Sequence, residues 1–314
     1  MLVIDRSGSM VNPWDHDGLA DTPVVTYWSS VHAAVAETLT AHDATVNFGL
    51  ATSPSNQAKA DYSEKACLVK NNAEVAPGPN NGATILADLP PKNIEDLVGG
   101  DPTAAALANA LVALEQTDAA LPRQIFLISN SLAQCHAGAV GDDLFEVYDP
   151  DAAVVAGQAL ALGIPVHVIG VDLKDVVTAV AKDGTPDSVG WLAKFEELAV
   201  AGGTAPHVNA TLETALAPAL AGPLAAAVAE VNPCLVALEV AATDPMQTHV
   251  LLNGEELAQV EDCVAMSGWR FVGPLPHGAI EVCGAACAQF QAAGAIEVAY
   301  CDASDREPGI IKQP

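Results

Sequence analysis

Residues 1–10 read MLVIDRSGSM, a short apolar run that ends in an aspartate and is followed by two serines around a glycine. An apolar run of this length, closed by polar residues, is typical of a buried strand. In a parallel sheet, the loops at the carboxyl ends of the strands form the crevice that binds ligands. The segment therefore predicts a strand whose polar end, with Asp5, Ser7 and Ser9, carries a site.

Strand-like and helix-like patterns alternate through the first two thirds of the chain. Strands are predicted over 46–52, 124–129 and 164–171, and helices over 27–42, 103–117, 149–162, 188–201 and 211–230. This alternation indicates βαβ units and a mostly parallel sheet. We therefore predict an α/β domain over 1–228, with a Rossmann-like, doubly wound sheet. The segment 71–82, NNAEVAPGPNNG, is predicted to be a loop.

The pattern changes to short strands after residue 232. These strands are predicted over 234–240, 249–257 (a hairpin turning at Asn253-Gly254), 269–273, 279–283 and 296–301, with one short helix over 285–294. We therefore predict a small β-rich domain over 232–301. A polar tail is predicted over 302–314.

The seven cysteines are concentrated near the end of the chain, with five in the last 81 residues. No CxxC pair occurs, so the zinc-ribbon and thioredoxin patterns are missing. A domain of about 70 residues is marginally stable without covalent cross-links. We predict at least two disulfides within 234–301, one of them joining Cys234 to Cys301, and a possible pair between Cys67 and Cys135. Reduced, buried thiols in a cytosolic protein are the alternative.

Composition excludes some partners and favours others. The chain has 12 Lys and Arg against 39 Asp and Glu, for a net charge of −27, which repels nucleic acid. No apolar stretch reaches the roughly 18 residues that a membrane span needs. No signal peptide is visible, although the first strand begins at once. We expect an export signal upstream of Met1 and an extracytoplasmic protein, whether secreted, periplasmic or on the cell surface.

Several chemistries place an aspartate at the end of a first strand. A haloacid-dehalogenase phosphatase needs a second aspartate where Ser7 stands, a P-loop needs Gly-Lys-Ser/Thr, and a dinucleotide site needs GxGxxG. None of these is present. A divalent-metal site fits, because hard cations such as Mg²⁺ take carboxylate and other oxygen ligands.

The chain resembles the von Willebrand factor A (VWA) family and its metal-ion-dependent adhesion site (MIDAS), in the bacterial extracytoplasmic type. DRSGSM matches the DxSxS motif of that family, and GGDPTAAALANAL resembles the loop that supplies its metal-binding threonine, here Thr103. QIFLISNS stands where the family has a strand ending in Thr-Asp-Gly, so Asn130 replaces the aspartate. The resemblance covers residues 1–225.

The resemblance implies the metal ligands Asp5, Ser7, Ser9, Thr103 and Asn130, and Asp101 is a further candidate that would restore the missing charge. It implies Mg²⁺, or Mn²⁺ or Ca²⁺, with an acidic side chain of a protein partner completing the coordination, and no enzymatic activity. Two alternatives remain open: a metal-assisted hydrolase that uses Asp15, Asp17, Asp101 or Asp172 as a base, and a structural module with a degenerate site. Helix capping is the simpler role for the serines and for Thr103.

Overall fold

The computed structural model describes residues 1–19, 21–242, 248–263, 265–272, 277–293, 295–300 and 309–313. The chain divides into two compact units, which are Met1–Val35 with Phe48–Ala219, and Ala36–Asn47 with the residues from Leu220 onward. Each unit has a hydrophobic core of its own. Among the described residues, no helix combines the length and the apolar character that crossing a membrane requires.

The first unit is built on a six-stranded sheet. The strands of the whole unit are β1 (Leu2–Asp5), β2 (Pro13–Trp14), β3 (Val25–Thr26), β4 (Phe48–Ser53), β5 (Val75–Gly78), β6 (Ile125–Ser129), β7 (Val166–Val171) and β8 (Val208–Ala210). The main sheet has the order β5-β4-β1-β6-β7-β8, and β2 pairs only with β3 among the described strands. Within the main sheet all neighbouring strands are parallel except β4 and β5. The predicted mostly parallel α/β sheet is confirmed.

The helices of the two units lie close to the predicted positions, apart from two short ones that were not predicted, Gly82–Asp88 and Asp143–Glu146. The helices are α1 (Tyr27–His42), α2 (Gly82–Asp88), α3 (Thr103–Glu115), α4 (Asp143–Glu146), α5 (Asp151–Ala161), α6 (Trp191–Ala201), α7 (Leu216–Val231) and α8 (Gly284–Ala293). Alanines on α3 and α5, among them Ala106, Ala110, Ala152 and Ala156, are fully buried. Their small side chains allow close packing in the core that these helices share with β1 and β6.

The prediction of a loop over 71–82 is wrong in part. Val75–Gly78 forms β5 and pairs antiparallel with β4 at the edge of the sheet. Pro77 within it has no N–H to donate, and an edge strand tolerates that loss because one of its sides needs no partner. The prolines and glycines that suggested a loop are thus compatible with an edge strand.

The second unit contains two small antiparallel sheets. Its strands are β9 (Leu235–Ala242), β10 (His249–Leu252), β11 (Glu255–Glu256), β12 (Gly268–Val272), β13 (His277–Cys283), β14 (Ile296–Tyr300) and β15 (Gly309–Gln313). One sheet has the order β12-β13-β9 and the other β11-β10-β14-β15. The predicted β-rich character is confirmed. Strand β15 lies within 302–314, where a polar tail is predicted.

Two disulfides, Cys234–Cys287 and Cys263–Cys283, cross-link the second unit, which confirms the predicted number. The predicted bond from Cys234 to Cys301 is wrong. Strand β13 runs antiparallel to β9 with Glu281 opposite Leu235, so the helix that follows β13 begins beside Cys234. That helix brings the Cα atom of Cys287 within 5.4 Å of the Cα atom of Cys234. Cys301 lies outside the described residues.

Candidate metal centre

The site lies at the point where the order of strands reverses. Strand β1 has β4 on one side and β6 on the other, and the register places Ile4 opposite Ile128. The last residues of these two strands, Asp5 and Ser129, therefore stand side by side at the carboxyl edge. This edge at a reversal of strand order is where open α/β sheets bind ligands.

The carboxylate of Asp5 accepts hydrogen bonds from three residues around it. Its Oδ1 atom accepts the backbone N–H of Ser7 at 2.8 Å. Its Oδ2 atom accepts the hydroxyls of Ser129 at 2.7 Å and Ser131 at 3.2 Å. Asp5 is only 1% exposed, so the loop and two strand ends enclose a buried carboxyl group.

A second set of contacts joins the serine loop to the segment after β6. The Ser9 hydroxyl lies 2.9 Å from the Ser7 hydroxyl and 2.8 Å from the Ser131 hydroxyl. It also donates to Oδ1 of Asn130 at 2.8 Å, and the Asn130 side chain donates back to the carbonyl of Ser9 at 3.4 Å. Asp5, Ser7, Ser9 and Asn130 thus share one network.

Asp101 comes to the same place from the loop that precedes α3. The Gly8 N–H donates to the carbonyl of Gly99 at 3.2 Å, which joins that loop to the serine loop. Asp101 is 5% exposed, and its Oδ1 atom has no hydrogen-bond donor among the described residues. Burial, together with the neighbouring carboxylate of Asp5, raises the pKa of Asp101 well above its ordinary value.

Two buried carboxylates in contact require either a shared proton or a cation. In the described part of the chain, no lysine or arginine makes an ion pair with Asp5 or Asp101. Around them stand neutral oxygens from hydroxyls and one amide. Carboxylates with neutral oxygens form the donor set that Mg²⁺ and Ca²⁺ prefer. The unpartnered Asp101 oxygen and this donor set fit a divalent cation.

Thr103 is the first residue of α3 and is 4% exposed. Its hydroxyl contacts the Asp101 carbonyl at 3.4 Å, a long distance for a hydrogen bond. The Thr103 N–H donates to the same carbonyl at 2.7 Å. Thr103 therefore shapes the turn that carries Asp101.

Sequence reasoning missed Ser129 and Ser131, which lie on either side of Asn130. Their signal was the polar triplet Ser-Asn-Ser directly after the apolar run IFLI. The other acidic candidates have different partners. Asp15 and Asp17 accept amide N–H groups of their own turn. Asp172 accepts the Tyr27 hydroxyl at 3.1 Å and pairs with Lys174.

A second group of potential metal ligands lies at the start of α5. His136 Nδ1 is 3.1 Å from Oδ1 of Asp149 and 3.6 Å from Oδ2 of Asp151. The same Asp149 oxygen accepts the N–H of Asp151 at 3.0 Å, which caps the helix. A histidine–aspartate pair and a helix cap account for this geometry without an ion.

No protein-family model matches the sequence, and no curated protein matches it. Two crystal structures of the pilus adhesin SpaC from Lactobacillus rhamnosus GG are similar, both with a TM-score of 0.52. Their identities are 15% and 13%, and the matches cover 90% and 99% of this chain. This chain spans only 37% and 42% of the SpaC chains. At such identity the similarity shows the fold alone.

A weaker similarity links the chain to the PilB minor pilin from Streptococcus sanguinis. The TM-score is 0.45 at 16% identity, over 73% of this chain and 60% of that one.

Proposed function

We propose that the chain is a metal-dependent adhesion module of the VWA type, which binds a protein partner outside the cytoplasm. The oxygens of Asp5, Ser7, Ser9, Asp101 and Asn130, with Thr103 beside them, hold Mg²⁺ or Mn²⁺, and an acidic side chain of the partner binds the ion. The observation that carries the proposal is the pair of buried carboxylates, Asp5 and Asp101, in contact at the sheet edge without a basic partner among the described residues.

Two further observations support the location and the type of function. Three disulfides among the described residues are typical of proteins from oxidising compartments. The fold is shared with a pilus adhesin. We propose binding in place of catalysis, because Asp172, the candidate base after β7, is already engaged by Tyr27 and Lys174.

The direct test is a calorimetric titration of the chain with MnCl₂, followed by a peptide that bears a single aspartate. We expect one Mn²⁺ per chain, and peptide binding that requires the ion. The same peptide with asparagine in place of aspartate is the control. Mn²⁺-independent binding of both peptides would contradict the proposal.

The substitution Asn130→Asp is expected to tighten Mn²⁺ binding. Asn130 Oδ1 already lies in the oxygen network, and a carboxylate there adds a negative charge close to the ion. We expect the free energy of Mn²⁺ binding to become more favourable by roughly 1–2 kcal/mol, the range for contacts that involve one added charge. Without metal, the variant should be less stable than the parent, because a third carboxylate joins two others.

Calorimetry and thermal unfolding, with and without Mn²⁺, measure the two effects of Asn130→Asp. The matched control is Asn12→Asp, which makes the same charge change at an exposed position just after the serine loop. If Asn130→Asp leaves Mn²⁺ affinity unchanged or weaker, then Asn130 lies outside the coordination shells or Asp101 already supplies the missing negative charge.

Metal binding is also expected to release a proton. Because its pKa is raised, Asp101 in the metal-free protein holds its proton to a higher pH than an ordinary aspartate does, and a cation displaces that proton. Affinity should therefore rise with pH, by up to about tenfold per pH unit, until the pH exceeds the raised pKa. Titrations in two buffers of different ionisation enthalpy count the protons. Identical apparent enthalpies in both buffers would contradict the proton release.

A further inference from the structure

The hydroxyl of Ser131 lies among the oxygens that the proposed function assigns to the ion. Its Oγ atom is 2.8 Å from Oγ of Ser9, 3.0 Å from Oδ1 of Asn130 and 3.2 Å from Oδ2 of Asp5. It also interacts favourably with the charged form of Asp101. Ser131 thus contacts members of all three loops that meet at the site.

The position of this hydroxyl is set by its own backbone. The Ser131 N–H donates to the Ser129 hydroxyl at 3.0 Å, and the same hydroxyl lies 3.1 Å from the Ser131 carbonyl.

Asp5, Ser7, Asp101 and Asn130 are all buried, whereas Ser9 and Ser131 are half-buried. The solvent-facing side of the cluster is therefore formed by these two residues.

The contacts of Ser131 exceed what one hydroxyl can satisfy. A serine hydroxyl donates one proton, yet the oxygens of Asn130 and Asp5 both lie at acceptor distance. The three separations of 2.8–3.2 Å also match the edge of a Mg²⁺ octahedron, roughly 3 Å when the metal–oxygen distance is about 2.1 Å. The position of the hydroxyl is therefore compatible with a metal ligand as well as with a hydrogen-bond donor.

We propose that Ser131 is an internal metal ligand in the position that the partner's carboxylate must occupy. A partner then binds the ion only if it displaces the Ser131 hydroxyl. This inference rests on the proposed function. With Ser131 added to Asp5, Ser7, Ser9, Asp101 and Asn130, the chain itself offers six oxygens, the number that an octahedral Mg²⁺ takes. A ligand attached to the same chain competes at a high effective concentration, so a partner must displace it and not merely a water.

This arrangement selects a class of partner. An isolated carboxylate such as acetate gains only one contact and displaces Ser131 poorly, whereas a carboxylate within a polypeptide brings additional contacts. The site therefore favours an acidic side chain of a polypeptide over small organic acids. Replacement of Ser131 should remove this discrimination.

The test uses Mn²⁺ and acetate with the variants Ser131→Ala and Ser131→Gly. We expect Mn²⁺ to bind several-fold more weakly and to carry one additional fast-exchanging water, measured by water proton relaxation. We expect acetate to bind the Mn²⁺-loaded variants roughly tenfold more tightly than the loaded parent, because it then displaces water in place of an internal ligand. Circular dichroism checks that both variants are folded.

The matched control is Ser129→Ala. The Ser129 hydroxyl donates to Asp5 at 2.7 Å from a buried position, so its loss should weaken Mn²⁺ binding without adding a water or improving acetate binding. Unchanged water count and acetate affinity in both Ser131 variants would overturn the inference while leaving the metal site intact. A parent that binds no Mn²⁺ would overturn the proposed function and this inference together.

Discussion

Asp5→Asn is expected to abolish tight Mg²⁺ or Mn²⁺ binding and to make the metal-free protein more stable than the parent. The asparagine Oδ1 can still accept the Ser7 N–H, and its Nδ2 replaces Oδ2 and can donate to the hydroxyl oxygen of Ser129, so both local hydrogen bonds persist with the second one reversed. The ion loses a buried carboxylate, and affinity should fall by more than the roughly 10–100-fold that loss of an outer-shell group costs. The contact with Asp101 then joins a carboxyl group to a neutral amide, where the parent has two carboxyl groups.

The sign of the stability change distinguishes a metal site from an ordinary polar cluster. Without metal, we expect the free energy of unfolding of Asp5→Asn to exceed that of the parent by about 1 kcal/mol. This corresponds to a rise of about 2–4 °C in Tm for a chain of this size. With saturating Mn²⁺ the order should reverse, because only the parent gains binding energy. Thermal unfolding with and without Mn²⁺, together with calorimetry, measures both effects.

Asp15→Asn is the matched control for Asp5→Asn. It makes the same charge change at an exposed residue of the neighbouring turn, where Oδ1 accepts the Gly18 N–H. We expect Asp15→Asn to bind Mn²⁺ like the parent. If Asp5→Asn also binds Mn²⁺ as tightly as the parent, the ligand assignment is wrong.

The sequence was sufficient for the four inner strands of the central sheet, β1, β4, β6 and β7, because these strands are almost entirely buried on both faces. Leu2, Val3 and Ile4 are at most 1% exposed, and Ile125 to Ile128 are equally buried. Such strands must be continuous apolar runs, and the polar residue that ends each run then marks the carboxyl edge. Asp5 and Asn130 could therefore be assigned to one edge without knowledge of strand order.

Contacts between loops could not be predicted in the same way. Asp101 meets Asp5 because backbone hydrogen bonds hold the Gly99–Gly100 turn against neighbouring loops, and no periodicity records such contacts. Ser131 was missed for a related reason, since the pattern after β6 does not say which side chain turns inward. The bond from Cys234 depends on the antiparallel register of β9 and β13, which short strands do not specify.

The Cys67–Cys135 disulfide links two of the loops that enclose Asp101. The Gly100 N–H donates to the carbonyl of Ala66 at 3.1 Å, and the Gln134 N–H donates to the carbonyl of Asp101 at 2.8 Å. Cys67 directly follows Ala66, and Cys135 directly follows Gln134. The disulfide thus holds together the two segments that bind the Asp101 turn on either side.

The double variant Cys67→Ser/Cys135→Ser is expected to lose both stability and metal affinity. The bond joins residues 68 apart, and the chain-entropy model gives about 4 kcal/mol for such a loop. The loosened Asp101 turn should weaken Mn²⁺ binding by about tenfold, as for other groups that orient a metal ligand. Denaturant unfolding and calorimetry measure the two losses.

The control for this double variant is Cys263→Ser/Cys283→Ser in the second unit. That bond joins residues 20 apart, so its removal should cost about 3 kcal/mol in the same model. Because the Cys263–Cys283 bond lies outside the unit that carries Asp5 and Asp101, Mn²⁺ affinity should stay at the parent value. Equal Mn²⁺ affinity in the two double variants would show that the Cys67–Cys135 bond stabilises the fold without positioning Asp101.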